Sequence, residues 1–139
     1  MTALVVDTHV LVWLLDKNKQ LGPHAREALR AAASAHSLHV SAITPWEIAM
    51  LVSKGRLTLN RDVGEWLGTA LSLPGIRLEP LSVEISVAST RLPGEINGDP
   101  ADRIIVATAR RIGVPLVTAD GDLLNYGSQG HLQTIRATQ

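Results

Sequence analysis

Five carboxylates stand where their types and spacing could do chemistry: Asp7, Glu47, Asp99, Asp102 and Asp120. Asp7 closes the apolar run Leu4-Val5-Val6, and Asp120 follows Leu116-Val117-Thr118 almost directly. Asp99 and Asp102 are three apart, so they share one face of a helical first turn. Glu47 falls in the opening turn of a helix expected from Thr44. Folding gains nothing from massing like charges. A hard divalent cation does, because Mg²⁺ or Mn²⁺ takes oxygen ligands while keeping several waters. Such an ion acidifies a water and stabilises a phosphodiester under attack.

Each acid also has a local explanation. Asp99 before Pro100 is an ordinary N-cap. Asp102 could only complement the helix dipole. Glu47 could be the reciprocal partner of Thr44 in a capping box. Asp120 could be a turn residue before Gly121, and Asp122 a surface residue or cap. Asp7 resists such a reading, since a carboxylate ending an apolar strand beside Thr8 is poorly placed for a turn. Reducing the set to local roles requires all these explanations at once.

The elements that must position these acids alternate. Strands are expected at 4–6, 38–41, 76–81, 116–118 and 132–136. Helices are expected at 8–16, 23–35, 44–54, 62–72, 82–91 and 100–112, with a short one after Asp120. Pro23 and Pro100 suit first helical positions, and Gly113 suits a left-handed C-cap. The alternation predicts an α/β fold, with a mainly parallel sheet of about five strands and helices on both faces. Ligands of such sheets sit beyond the carboxyl ends of the strands, where strand order reverses. Asp7, Glu47 and Asp120 belong to strand-to-helix junctions at that edge, and Asp102 lies at the start of the helix expected from Pro100.

The 139 residues fit one domain, 1–139. An apolar share of 45% supports a core and argues against disorder. Thirteen basic residues balance thirteen acidic ones, which excludes a generally basic nucleic-acid coat but not a local patch. With no cysteine, any metal must be held by oxygen or imidazole. The five histidines (9, 24, 36, 39 and 131) lack zinc-like spacing. His9 alone lies near the acidic edge, as a helix-face residue or a substrate contact. G-x-G-x-x-G and P-loop cradles are absent. No apolar run reaches membrane-spanning length, and the N-terminus lacks a basic leader. These features lead to the expectation of a soluble cytoplasmic protein.

The runs VVDTHVLVWLL, VSAITPWEIAMLVSKGRL and GDPADRIIVATARRIGVPLVTAD closely resemble the PIN-domain nucleases, within them the VapC-type toxins of toxin–antitoxin pairs. The resemblance covers nearly the whole chain. It implies that Asp7, Glu47, Asp102 and Asp120 bind Mg²⁺ or Mn²⁺, with Asp99 a neighbour and Thr8 and Thr118 in support. Asp7 would be the central ligand, and Glu47 would position a water or act as base. It further implies an endoribonuclease restrained by a cognate antitoxin, usually as a homodimer. The alternative is a non-catalytic PIN-like module that binds RNA or a partner peptide. Arg103, Lys54 and Arg56 are the candidates for RNA phosphate contacts, Arg103 first; its other role would be to pair with Asp102. Arg110 and Arg111 fit a solvated helix face. Trp13, Trp46 and Trp66 are either core residues or interface anchors. So few aromatics favour recognition of RNA shape, or of a short exposed sequence, over a stacking platform.

Overall fold

The computed structural model describes residues 2–139. Five strands, β1 (Leu4–Val6), β2 (Leu38–Ser41), β3 (Ile76–Glu79), β4 (Leu116–Thr118) and β5 (Thr134–Arg136), form one sheet in the order β3-β2-β1-β4-β5. Every pairing is parallel, so the sheet is wholly rather than mainly parallel. Seven helices connect the strands: α1 (Thr8–Leu15), α2 (Pro23–Ser34), α3 (Ile43–Ser53), α4 (Val63–Leu71), α5 (Val83–Ser89), α6 (Pro100–Ile112) and α7 (Gly121–Ser128).

The central strand β1 is apolar on both faces, as a sheet covered on both sides requires, whereas β2 alternates Leu38 and Val40 with His39 and Ser41. Successive side chains point to opposite sides. Leu4 and Val6 join Leu38, Val40 and Val117 in one core, closed by α1, α2, α4 and Ile48 of α3. Val5 and Leu116 face the other core, with Ile105, Val106 and Ala109 of α6 and Leu123 and Tyr126 of α7. Trp66 is in the first of these cores, 6% exposed, so it is unavailable as an interface anchor. Its indole N–H donates to Asp16 at 3.2 Å.

Strand order runs β1, β2, β3 to one side and β4, β5 to the other. The reversal therefore falls between β1 and β4, which pair directly through Val5–Leu116 and Val6–Val117. Asp7 and Asp120 follow these two strands and flank that crevice.

One local expectation fails. Helix α3 starts at Ile43, with Ala42 already in a right-handed helical conformation and no side-chain cap. Ser41 makes the strand-to-helix turn instead, accepting from the Ile43 N–H at 3.2 Å. Thr44 is thus a buried second helical residue and cannot form a capping box with Glu47.

Helix α6 behaves as its sequence suggests, with Asp99 as N-cap, Pro100 first and Gly113 ending it at φ 79°. Gly75 is more constrained: at φ +92° an added Cβ would lie 2.0 Å from the carbonyl oxygen of Ala33. A Cβ at Gly113 meets nothing within 4 Å. Gly113→Ala should therefore lose only the left-handed preference, about 1–2 kcal/mol, and Gly75→Ala distinctly more. Urea unfolding of both variants checks this; equal losses would contradict the Gly75 clash.

Candidate metal centre

At the carboxyl edge, a cavity of about 340 Å³ is lined by Asp7, His9, Trp13, Glu47, Asp99, Asp102, Ala119 and Asp120. All five acids singled out by spacing border it. A larger open depression of about 560 Å³ lies beside Gly113, Val114 and His131, before β4 begins, and no carboxylate lines it.

The acids are not equivalent. Oxygens of Glu47, Asp99 and Asp102 lie within 4.8 Å of one another, a donor set that fits a hard cation. Asp7 is deeper, only 8% exposed. Its Oδ1 accepts from the Thr8 N–H at 2.9 Å, and its Oδ2 accepts from the Thr118 hydroxyl at 2.6 Å. The closest cluster is thus Glu47 with the α6 pair, while Asp7 and Asp120 line the same cavity outside it.

Backbone geometry explains the placement. Asp99 caps α6 through the Asp102 N–H at 3.1 Å and still belongs to the cluster, so its two readings coexist. Asp120 caps α7, its Oδ1 accepting from the N–H groups of Asp122 and Leu123. Thr118 ties the two strand ends together by also accepting from the Asp120 N–H at 3.0 Å. The Thr8 hydroxyl donates to Glu47 Oε1 at 2.5 Å and lies 3.3 Å from the hydroxyl of Thr44. Glu47 therefore faces α1 and the cavity rather than its own helix terminus.

Other expected residues separate. Lys54 and Arg56 are exposed after α3 and do not line the cavity. Arg103 pairs neither with Asp102 nor with any other acid; it donates to the carbonyls of Ser89, Ile96 and Asn97. With three carbonyl acceptors, its guanidinium braces the turn before α6 through Nε and Nη1. Arg111 pairs with Glu84 on the exposed face, and exposed Arg110 reaches the His131 carbonyl. Trp46 is 58% exposed beside the cluster, in an apolar groove with Ile43, Met50 and Pro100 that also touches Glu47 and Asp99. Global scarcity of aromatics therefore does not hold at the cavity rim. Asn97 was missed by sequence reading: its Nδ2 donates to Asp102 at 3.2 Å, and its Oδ1 accepts from the Asp99 N–H at 2.9 Å. Asn-Gly-Asp before Pro100 was the available signal, as a side-chain-closed turn.

None of the five acids forms a salt bridge among the described residues; the pairs are His39–Glu79 and Arg111–Glu84. Burial holds the carboxyl of Asp7 above its ordinary range, against the hydrogen bonds from Thr118 and Thr8. Glu47 is raised by burial, with the charges of Asp7 and Asp99 adding and the Thr8 bond opposing. Asp102 is pushed up to about 7 by burial and then by Asp7 and Asp99. Unmet negative charge of this kind is what a divalent cation relieves.

A PIN domain family model matches residues 4–128. Ribonuclease VapC22 of Mycobacterium tuberculosis (strain ATCC 25618 / H37Rv) is 32% identical over 126 residues, covering 91% of this chain and 93% of that protein. The fold matches a chain in the crystal structure of VapBC2 from Rickettsia felis bound to a promoter DNA fragment. The TM-score there is 0.69 at 19% identity, covering 96% of this chain and 97% of that one. FitAcB from Neisseria gonorrhoeae gives a TM-score of 0.65 at 19% identity, with the same coverage. At such identity these two structures speak for the fold.

The raised carboxyls set a pH dependence. Asp102 titrates at about 7 when folded, against an ordinary 3.8, so the folded state binds the extra proton between those values. Stability from that proton is complete below about pH 4 and is lost as pH rises through about 7. In EDTA the melting temperature should therefore be higher at pH 5 than at pH 8, and Asp102→Asn should flatten the trend. Saturating Mn²⁺ should raise the value at pH 8 most. Calorimetry at both pH values checks this; a metal-free protein that gains stability from pH 5 to 8 would contradict it.

Proposed function

Because this chain belongs to the PIN-domain family and is a homologue of the VapC ribonucleases, we propose that it hydrolyses RNA phosphodiesters at the acidic cavity. The observation that carries the reading is the convergence of Glu47, Asp99 and Asp102 oxygens within 4.8 Å, in a cavity that Asp7 and Asp120 also line. These all-oxygen donors fit Mg²⁺ or Mn²⁺, which Asp102 and Asp99 would hold, with Asp7 and Asp120 engaged directly or through water and Glu47 through the water that attacks. When bound, the ion supplies Lewis-acid polarisation of the phosphate and acidification of water.

The chain's own groups then divide the work. Thr118 fixes Asp7 at the sheet switch point, and Thr8 fixes Glu47 through Oε1. That bond leaves Oε2 of Glu47 as the atom that takes a proton from an attacking water. The exposed Trp46 offers its face to a base next to the scissile phosphate. His9 stands at the cavity mouth, and Lys54 and Arg56 remain candidates for more distant phosphates.

The same reading takes residues 1–139 as one nuclease domain acting in the cytoplasm and restrained by an antitoxin. Support for the partner comes from solved relatives described as toxin–antitoxin complexes. A second copy of the chain is supported by exposed apolar residues on edge strand β3 and the segment that follows it, Leu78, Leu81, Val83 and Val87. Light scattering tests this part, and a mass of one chain at high concentration removes the homodimer.

The central test is cleavage of single-stranded RNA by the purified chain in Mn²⁺. Cutting should stop in EDTA, and Glu47→Gln should slow it about 10²–10⁴-fold. Undiminished cutting in excess chelator would rule out the metal-dependent reading. RNA retained but never cut would favour a binding module.

A separate arm examines the rim. Trp46→Ala should weaken RNA binding by about 1–3 kcal/mol, the usual worth of one stacked base. Anisotropy with a labelled oligoribonucleotide reads it, and unchanged affinity would remove Trp46 from the RNA path.

A further inference from the structure

The turn entering α6 carries a bonded chain of groups that the proposed chemistry does not itself use. Asn97 holds both neighbouring acids: Nδ2 donates to Asp102 Oδ2 at 3.2 Å, and Oδ1 accepts from the Asp99 N–H at 2.9 Å. Asp99 in turn accepts from the Asp102 N–H at 3.1 Å. The backbone of Asn97 is fixed from the other side. Arg103 Nη1 donates to the carbonyls of Asn97 at 3.1 Å and Ile96 at 3.5 Å. Its Nε donates to the Ser89 carbonyl at 3.0 Å, anchoring the turn to the end of α5.

The terminal torsion of an Asp side chain is broad and roughly two-fold. A carboxylate held only by its backbone would sample many orientations, most of them wrong for a cation. Two of the three acids in the tight cluster, Asp99 and Asp102, meet at Asn97. A carboxamide suits that place because it donates to one acid's side chain and accepts from the other's backbone without adding charge. A guanidinium suits residue 103 because its planar fork reaches several carbonyls at once, which an ammonium does not reproduce.

We propose that Asn97 and Arg103 are positioning residues for the metal centre: Arg103 locks the turn, and the locked Asn97 carboxamide orients Asp102 for a divalent cation. This rests on the cation reading above. It gives Arg103 a role different from both roles expected of it, since it acts through Asn97 rather than on phosphate or on Asp102.

The test is Mn²⁺ binding to the full chain without RNA, followed by the loss of the free-ion electron paramagnetic resonance signal. Asn97→Ala should weaken Mn²⁺ binding roughly 10–100-fold, the usual cost of removing a ligand's outer partner. Arg103→Lys should weaken it in the same direction. The double variant should be no weaker than Asn97→Ala alone, because both changes break one chain of bonds. Arg103→Gln stands in if the lysine variant does not fold, as judged by circular dichroism. Asn97→Ala with wild-type Mn²⁺ affinity overturns the proposal. Additive losses overturn the claim that Arg103 acts through Asn97. Weaker RNA binding in Arg103→Lys with unchanged Mn²⁺ affinity makes it a phosphate contact instead. A wild-type chain that binds no Mn²⁺ sinks the cation reading itself, a result separable from all of these.

Discussion

Burial of like charges at one edge of a parallel sheet is the constraint on which the rest of this structure depends. Five carboxylates border one cavity, and none has a basic partner among the described residues. Such an arrangement is costly without a cation: burial raises the titration of Asp7, Glu47 and Asp102 first, and the neighbouring negative charges add to it. The fold supports it by tying the acids to rigid points. Asp7 ends β1, Asp120 caps α7, Asp99 caps α6, and Glu47 is gripped by Thr8 of α1. Burial of the inner strands on both faces keeps those points fixed relative to one another.

Hydroxyl and amide groups around the acids complete the arrangement. Thr118 bridges the β1 and β4 ends, Thr8 joins α1 to α3, and Asn97 joins the two acids of α6. Each is neutral, so each restrains a carboxylate without cancelling the charge a cation requires. Salt bridges would restrain the acids equally well, but would compete with metal.

Much of this was legible in the sequence because the signals were local and periodic. Short apolar runs followed by acids marked β1, β4 and the edge where the acids gather, and the parallel connection rule then brought Asp7 and Asp120 to the switch point. Pro100 and Gly113 marked α6 to the residue. What was not legible depended on tertiary geometry. Thr44 and Glu47 have capping-box spacing, yet the turn at Ser41 starts the helix earlier and turns both side chains toward α1. Arg103 adjoins Asp102 in sequence, but successive helical residues point about 100° apart on an α-helix, so its fork meets carbonyls of the preceding loop. Asn97 carried only a turn signal, because its link to Asp102 exists only once α6 has formed.

The claim at the centre of this account is that the cavity is a cation site built by acids from three strand-to-helix junctions and from the α5–α6 turn. Anomalous diffraction from crystals of the chain grown with Mn²⁺ tests it most directly. The account predicts a manganese peak inside the cavity, within coordinating distance of Asp102 and of at least one of Glu47, Asp99 and Asp7. An ordered, empty cavity at saturating Mn²⁺, or manganese found only on other surface carboxylates, would contradict it.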